Sequence, residues 1–274
     1  MGRLKALIGV LILTASLGIL YLPVLRELVA VWMADMSNMG YGFFIPPVAA
    51  YLVWERRNDL RIAPGEHAWG GYLLVLVGLA LLFLGRAGDL NVVAEGSLIF
   101  VLFGIVLFLG GPKLTAQVAF PLFYLAFMIP PPSSVYYWLT WPLQLFTARF
   151  STDTLHLFGY PALLHGVYID LPHVRLQVAA ACSGFRSLMS LGAAGILLAY
   201  ATRSGWANRA LLIASVLPIA ILSNTVRVAV NILLGTYAGT YHTITGWMLF
   251  VLATACLLGV GALLPGRERT GAPA

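Results

Sequence analysis

The chain reads as an all-α integral membrane protein, a polytopic bundle of about eight transmembrane helices with an interfacial helix or loop segment on its outer face. Three observations predict this. Of 274 residues, 60% are hydrophobic and only 9% charged, whereas a soluble domain carries about 25% charged residues to meet water. The apolar residues come in long runs rather than in the alternation of a barrel strand. Their number, about 164, is close to the roughly 160 that eight helices of about 20 residues need. With a mean hydropathy of +0.90, a water-soluble globule, a disordered chain and a secreted disulfide scaffold are excluded.

Run length places spans near 4–24, 41–54, 69–85, 92–110, 114–129, 184–200, 208–224 and 246–264. The first, MGRLKALIGVLILTASLGIL, has the basic start and apolar core of a signal peptide. It runs on through Tyr21, Leu22 and Val24 without a small-x-small cleavage site, and so reads as an uncleaved span. The second is short and begins earlier, at an angle. With loops alternating sides, one face collects Arg3, Lys5, Arg56, Arg57, Arg61, Lys113, Arg203, Arg209, Arg267 and Arg269, ten of the 16 basic residues. The other has Arg26, Arg86, Arg149, Arg175, Arg186 and Arg227, spread over far more loop. The positive-inside rule then makes both termini cytoplasmic. It also accounts for the net charge of +6 without nucleic acid; the partner implied is membrane lipid.

In this orientation the one long non-spanning segment, about 130–183, falls on the outer face. Pro130, Pro131 and Pro132 end the fifth span. SSVYYWLTWPLQLFTARF follows, and aromatic residues at this density mark a segment at the membrane interface. Beyond it Gly159, Pro161, Gly166 and Pro172 punctuate turns and short extended pieces. No repeat, linker or low-complexity tail occurs, so residues 1–274 read as a single domain.

Polar groups at membrane depth are costly and mark functional positions by default. In AAACSGFRSLMSL (179–191), Cys182, Arg186 and Ser190 recur every four residues and would share a helical face. A cysteine near a helix N-terminus beside an arginine is favoured as the thiolate, the nucleophilic form. The alternative is a packed cysteine in a small-residue helix contact. In ILSNTVRVAVNILLG (221–235), Ser223, Asn224, Arg227 and Asn231 form a polar stripe on an apolar helix. Arg227 either snorkels to the outer interface or belongs to an organised site.

Among the five histidines, His67 lies in a cytoplasmic loop; His156, His165 and His173 lie in the outer segment. His242 enters the eighth span from the outer face, level with Cys182 and Arg227, though composition alone would not select it over His173. Cys256, inside a late apolar run, reads as a small buried hydrophobe. No HExxH, CxxC or GxSxG motif occurs, nor a P-loop or dinucleotide-binding glycine pattern. The ten Asp and Glu fall almost all in loops with no carboxylate pair in a span. Metal hydrolase, aspartyl protease and proton-relay chemistry are therefore unsupported, and no cofactor is expected.

These residues carry a resemblance. ACSGFRSL (181–188), SNTVRVAVN (223–231) and His242 look like the Cys, Arg and His signatures of the exosortase/archaeosortase family of membrane protein-sorting enzymes. YGFFIPPVAAYLVWERR (41–57) is similar to the family's early motif, FPLFYLAFMIPPP (120–132) to its mid-chain one, and GYPALLHGVYIDLPHVRLQVAAACSG to its approach to the cysteine. The likeness extends over nearly the whole chain. There is one departure: where the family's early motif reads like Tyr-Ser-His-Gly-Phe, Met39-Gly40-Tyr41-Gly42-Phe43 has Tyr41 at the histidine position.

The resemblance implies a cysteine peptidase or transpeptidase of the bacterial inner membrane. Its partners would be substrate proteins with a C-terminal sorting signal, built from a short motif such as Pro-Glu-Pro, a transmembrane helix and a basic cluster. They would be cleaved near the outer face, in many family members alongside exopolysaccharide production. The implied catalytic residues are Cys182, Arg227 and His242, with Arg186 and Asn224 in support. Two other readings stay open: a transporter or polysaccharide-export component binding an anion through Arg186 and Arg227, and an intramembrane serine protease using Ser183 or Ser187.

Overall fold

A computed structural model describes residues 2–34, 39–60, 68–202, 205–235 and 240–265. Of the residues named above, Arg61, His67, Arg203, Arg267 and Arg269 lie outside the described residues, as do the side chains of Arg3, Lys5 and His242. The chain is a largely helical, polytopic membrane protein. Six described helical stretches are long and apolar enough to cross a bilayer: Leu11–Met33, Trp69–Ala87, Asn91–Met128, Phe185–Thr202, Trp206–Leu233 and Ile244–Leu263. The chain divides into two compact units, Met1–Pro132 and Ser133–Ala274.

The first unit holds α1 (Gly2–Met33), a 3-10 turn (Gly40–Phe44), α2 (Ile45–Glu55), α3 (Trp69–Ala87), α4 (Asn91–Tyr124) and a second 3-10 turn (Leu125–Met128). The eight spans expected from run length correspond to these six stretches for two reasons. Helix α2 has only 11 residues, too few for a core of about 30 Å at about 1.5 Å per residue. The expected spans at 92–110 and 114–129 both lie in the 38-residue stretch Asn91–Met128, which is divided into two helices, as expected, where Gly111 takes φ 72° and ψ 178°. Only glycine adopts that backbone without strain, and Pro112 follows it.

Helices α3 and α4 form the tightest contact in this unit. Gly71, Gly78 and Gly85 recur every seven residues along α3 and are all buried. A Cβ on Gly78 would stand 2.6 Å from Val101 Cγ2, and one on Gly85 2.6 Å from the Ala94 nitrogen. Bare backbone thus lets the helices approach closely, which is how helices associate when lipid removes the hydrophobic drive between them.

Helix α1 runs nine residues past the expected end at 24, through Pro23, and carries Glu27 into an apolar span. The expectation that no carboxylate pair lies in a span is corrected accordingly. Glu27 accepts two bonds from Arg86 Nη1, at 2.7 and 2.9 Å, and Glu95 on α4 is 2% exposed. Two more bonds tie α1 down: Tyr21 to Ser97 at 2.9 Å, and Trp32 Nε1 donating to the Met128 carbonyl at 2.9 Å. Tyr41, at the departing motif position, is held in the first 3-10 turn with its hydroxyl donating to Met39 Sδ at 3.3 Å.

The second unit holds α5 (Ser133–Leu157), three short strands, a 3-10 turn (Ala180–Cys182), α6 (Phe185–Thr202), α7 (Trp206–Leu233) and α8 (Thr240–Leu263). The strands, β1 (Leu163–His165), β2 (Tyr168–Leu171) and β3 (Val174–Gln177), form an antiparallel sheet in that order. Leu191 and Ala199 of α6, Leu212, Val216 and Ala220 of α7, and Ala253 and Leu257 of α8 close one core. Ala148 and Leu155 of α5 meet Ile169, Val178 and Ile232 in another, which anchors the sheet to α7.

Helix α5 is inside out. Its buried face is Thr140, Gln144, Thr147, Ala148, Ser151, Thr152 and Leu155, while Tyr137, Trp138, Trp141, Phe146 and Phe150 are exposed. Aromatic residues outside and hydroxyls inside suit a lipid-facing helix that lends polar groups to the interior. Gln144 Nε2 donates to the Val178 carbonyl at 3.0 Å, fixing the segment between the sheet and α6.

Candidate active site

Cys182 ends the 3-10 turn, where its N–H donates to the Ala179 carbonyl at 2.8 Å. Sequence spacing placed Cys182, Arg186 and Ser190 on one helical face; the structure corrects this. Helix α6 starts only at Phe185, because Gly184 takes φ +89° and turns the chain before the first helical residue. Arg186 and Ser190 keep the helical relation, with Ser190 Oγ donating to the Arg186 carbonyl at 2.8 Å. Cys182 instead precedes the helix N-terminus, and is half-buried. Ser183, 2% exposed, accepts the Phe185 N–H on its Oγ at 3.3 Å, so its hydroxyl is committed to the helix start.

Asn224 on α7 seats the cysteine. It is 2% exposed, and its Nδ2 donates to the Cys182 carbonyl at 2.8 Å and to Thr147 Oγ1 at 3.3 Å. Asn224 also reaches Gly184: a Cβ there would lie 2.9 Å from Asn224 Cβ and 3.0 Å from its Cγ. Gly184 is therefore required twice, by its backbone angle and by the close approach of α7.

The rest of the α7 stripe turns toward α8. Ser223 Oγ donates to the Leu249 carbonyl at 3.0 Å, and Asn231 Oδ1 accepts from Thr245 Oγ1 at 2.7 Å. Between them Arg227 lies against Gly246, where an added Cβ would stand 3.8 Å from its Cδ and Nη1. Cys182 and Arg186 are both close enough to interact electrostatically with Arg227. The Arg227 Nε is buried and has no hydrogen-bond partner among the described residues. An orphaned donor of that kind is uncommon in a folded interior.

His242 belongs to the first turn of α8, four residues before Gly246 and hence one helical turn from where Arg227 rests. Its side chain lies outside the described residues. Two histidines of the 130–183 segment are engaged elsewhere: His156 Nε2 meets the Ala162 carbonyl at 2.7 Å, and His165 Nδ1 meets Asp170 Oδ2 at 3.1 Å. Cys256 is exposed on α8 rather than buried as expected, so it faces away from the packed interior.

Beside Cys182 is a cavity of about 80 Å³, lined by Ile169, Leu176, Gln177, Val178, Cys182, Val228, Asn231 and Ile232. Sequence reasoning did not find this hollow, nor Thr147 and Gln144, because all three depend on contacts between distant segments. The polar face of α5 was the available signal: Thr140, Gln144, Thr147, Ser151 and Thr152 recur at helical spacing among aromatic residues. Among the described residues, no group of three or more His, Cys, Asp or Glu could hold a metal ion.

No curated protein and no solved structure matches the chain. The family described as Transmembrane exosortase (Exosortase_EpsH) does match, over residues 32–259. With its cysteine, arginine and histidine motifs all inside that range, the chain belongs to the transmembrane exosortase family.

Proposed function

We propose that the protein is a membrane-embedded cysteine peptidase or transpeptidase that cleaves a C-terminal sorting signal near the outer membrane face. The observation that carries this reading is the buried Nε of Arg227, without a hydrogen-bond partner among the described residues, on a residue within electrostatic reach of Cys182. Such a donor can bond a developing oxyanion without first giving up a partner.

The thiolate of Cys182 attacks the scissile carbonyl, and the tetrahedral oxyanion is stabilised by the Arg227 guanidinium. His242 takes the thiol proton and returns it to the leaving amine as the carbon–nitrogen bond breaks, leaving a thioester. An incoming amine or water then attacks the thioester and regenerates the thiol. Arg186 adds positive charge, and Asn224 positions the cysteine through its carbonyl. The substrates are proteins ending in a short motif, a transmembrane helix and a basic cluster. Both termini of the enzyme are cytoplasmic, with the sheet and Cys182 on the outer side of the bacterial inner membrane.

Co-expression with a reporter ending in a Pro-Glu-Pro-type signal tests the reading. Cys182→Ala should accumulate full-length reporter in the membrane. Normal processing by that variant would sink the nucleophile assignment and leave the anion-binding reading, in which Arg186 and Arg227 matter and Cys182 does not. Labelling from the outer face with a membrane-impermeant maleimide gives a second readout, with modification at Cys182 expected.

A further inference from the structure

We infer that the free edge of β3 receives the substrate as an added antiparallel or parallel strand, delivering its scissile bond to Cys182. This rests on the cysteine-peptidase reading above and concerns how that site takes its substrate. The register settles which backbone groups are available. The N–H of Val178 donates to the Val167 carbonyl at 2.9 Å, and Ile169 pairs with Leu176 and Leu171 with Val174. In an antiparallel ladder, hydrogen-bonded and non-bonded pairs alternate. Leu176 and Val174 thus bond inward to β2, while the N–H and C=O of Arg175 and Gln177 point outward. In the order β1-β2-β3 no described strand covers that edge.

Three further features make this edge suited to an extended peptide. The side chains of Arg175 and Gln177 are exposed, and Arg175 is held on the outer face of the sheet by Asp170 at 3.0 Å, clear of the backbone edge. The segment leads from Gln177 to Cys182 in five residues, so a strand paired with β3 lies beside the thiol. The cavity of about 80 Å³ opens on the inner face of the same sheet, between Ile169, Leu176 and Val178 on one side and Val228 and Ile232 on the other.

An added strand presents alternate side chains to that inner face. The cavity is lined mainly by aliphatic side chains and so suits an apolar one. Main-chain bonds supply affinity and the pocket supplies selectivity, the division of labour usual in strand addition. The substrate recognised is therefore an extended segment with an apolar residue near the scissile bond.

Two experiments with the full-length enzyme in membranes test this, using the reporter ending in the Pro-Glu-Pro-type signal. Gln177→Pro removes one outward N–H and leaves the β2 ladder whole, as proline is tolerated on an edge strand. Its processing rate should fall about tenfold below that of Gln177→Ala, which keeps the N–H, as expected for one lost hydrogen bond. Equal rates would overturn the proposal.

The second experiment involves no proline and so decides the matter if Gln177→Pro also loses maleimide labelling of Cys182. A Gln177→Cys, Cys182→Ser, Cys256→Ser enzyme is oxidised with reporters carrying single cysteines stepped along the segment before the cleavage site. Crosslinks should recur at every second reporter position; uniform crosslinking, or none, overturns the strand. Processing by Cys182→Ala would defeat the peptidase reading instead, and it leaves the crosslinking pattern readable on its own.

Discussion

Substituting Gly184 by alanine isolates what holds the cysteine in place. Two costs can be worked from the structure. At φ +89° an L side chain is strained by about 1–2 kcal/mol. The new Cβ would also stand 2.9 Å from Asn224 Cβ and 3.0 Å from its Cγ, closer than carbon atoms pack. Asn224 must retreat, and its 2.8 Å bond to the Cys182 carbonyl goes with it, a further loss of about 1 kcal/mol. The expected destabilisation is about 2–3 kcal/mol. Activity should fall further than stability, because displacing a reacting group by about 1 Å can cost about 100-fold. Gly192, also on α6, has nothing within 4 Å of its Cβ position and serves as the control. Processing kinetics and thermal unfolding in detergent should show Gly184→Ala impaired in both and Gly192→Ala near wild type. Indistinguishable behaviour of the two variants would refute the claim that Gly184 and Asn224 seat the cysteine.

Further outcomes follow from the same contacts. Arg227→Gln should lower the processing rate by about 100- to 1,000-fold, the usual loss with one oxyanion donor. Arg227→Lys should fall between, keeping the charge but not the Nε; an unchanged rate in Arg227→Gln would remove it from the chemistry. Gly78→Leu should lower the melting temperature in detergent through overpacking of about 1–3 kcal/mol, since its Cβ would press on Val101. Gly70→Leu, facing open space, should not, and equal melting would mean the helices of that hairpin do not pack through their glycines.

Much of this architecture was legible because charge is scarce. In a chain with 9% charged residues, each buried arginine or asparagine stands out, and the stripe on α7 was readable from spacing alone. What spacing could not show is which partner each side chain meets: Ser223 and Asn231 go to α8, but Asn224, one residue on from Ser223, turns to the cysteine. The turn at Cys182 escaped because periodicity assumes a continuous helix, and one glycine with positive φ breaks that assumption. Run length misplaced one boundary for a related reason. It measures apolarity, so it stopped α1 at Val24 although the helix continues past Arg26 and Glu27, the latter paired with Arg86 of α3. It divided the 91–128 stretch where the structure does, since Gly111 leaves the helical conformation and Pro112 follows it. The interior face of α5 was invisible to hydropathy, which averages its hydroxyls with its aromatic rings.

That helix has a consequence for how the protein is made. Gln144 and Thr147 emerge from the ribosome with no partner nearby; the Val178 carbonyl follows 34 residues later and Asn224 follows Thr147 by 77. Thr140 and Thr152 can bond carbonyls of α5 itself, but until those segments arrive Gln144 and Thr147 have only water or the interface. Docking of α7 supplies the partner of Thr147 and, through the same asparagine, closes the seat of Cys182. The thiol is thus shaped only once α7 has followed it, so a chain halted before α7 carries the cysteine without the means to use it.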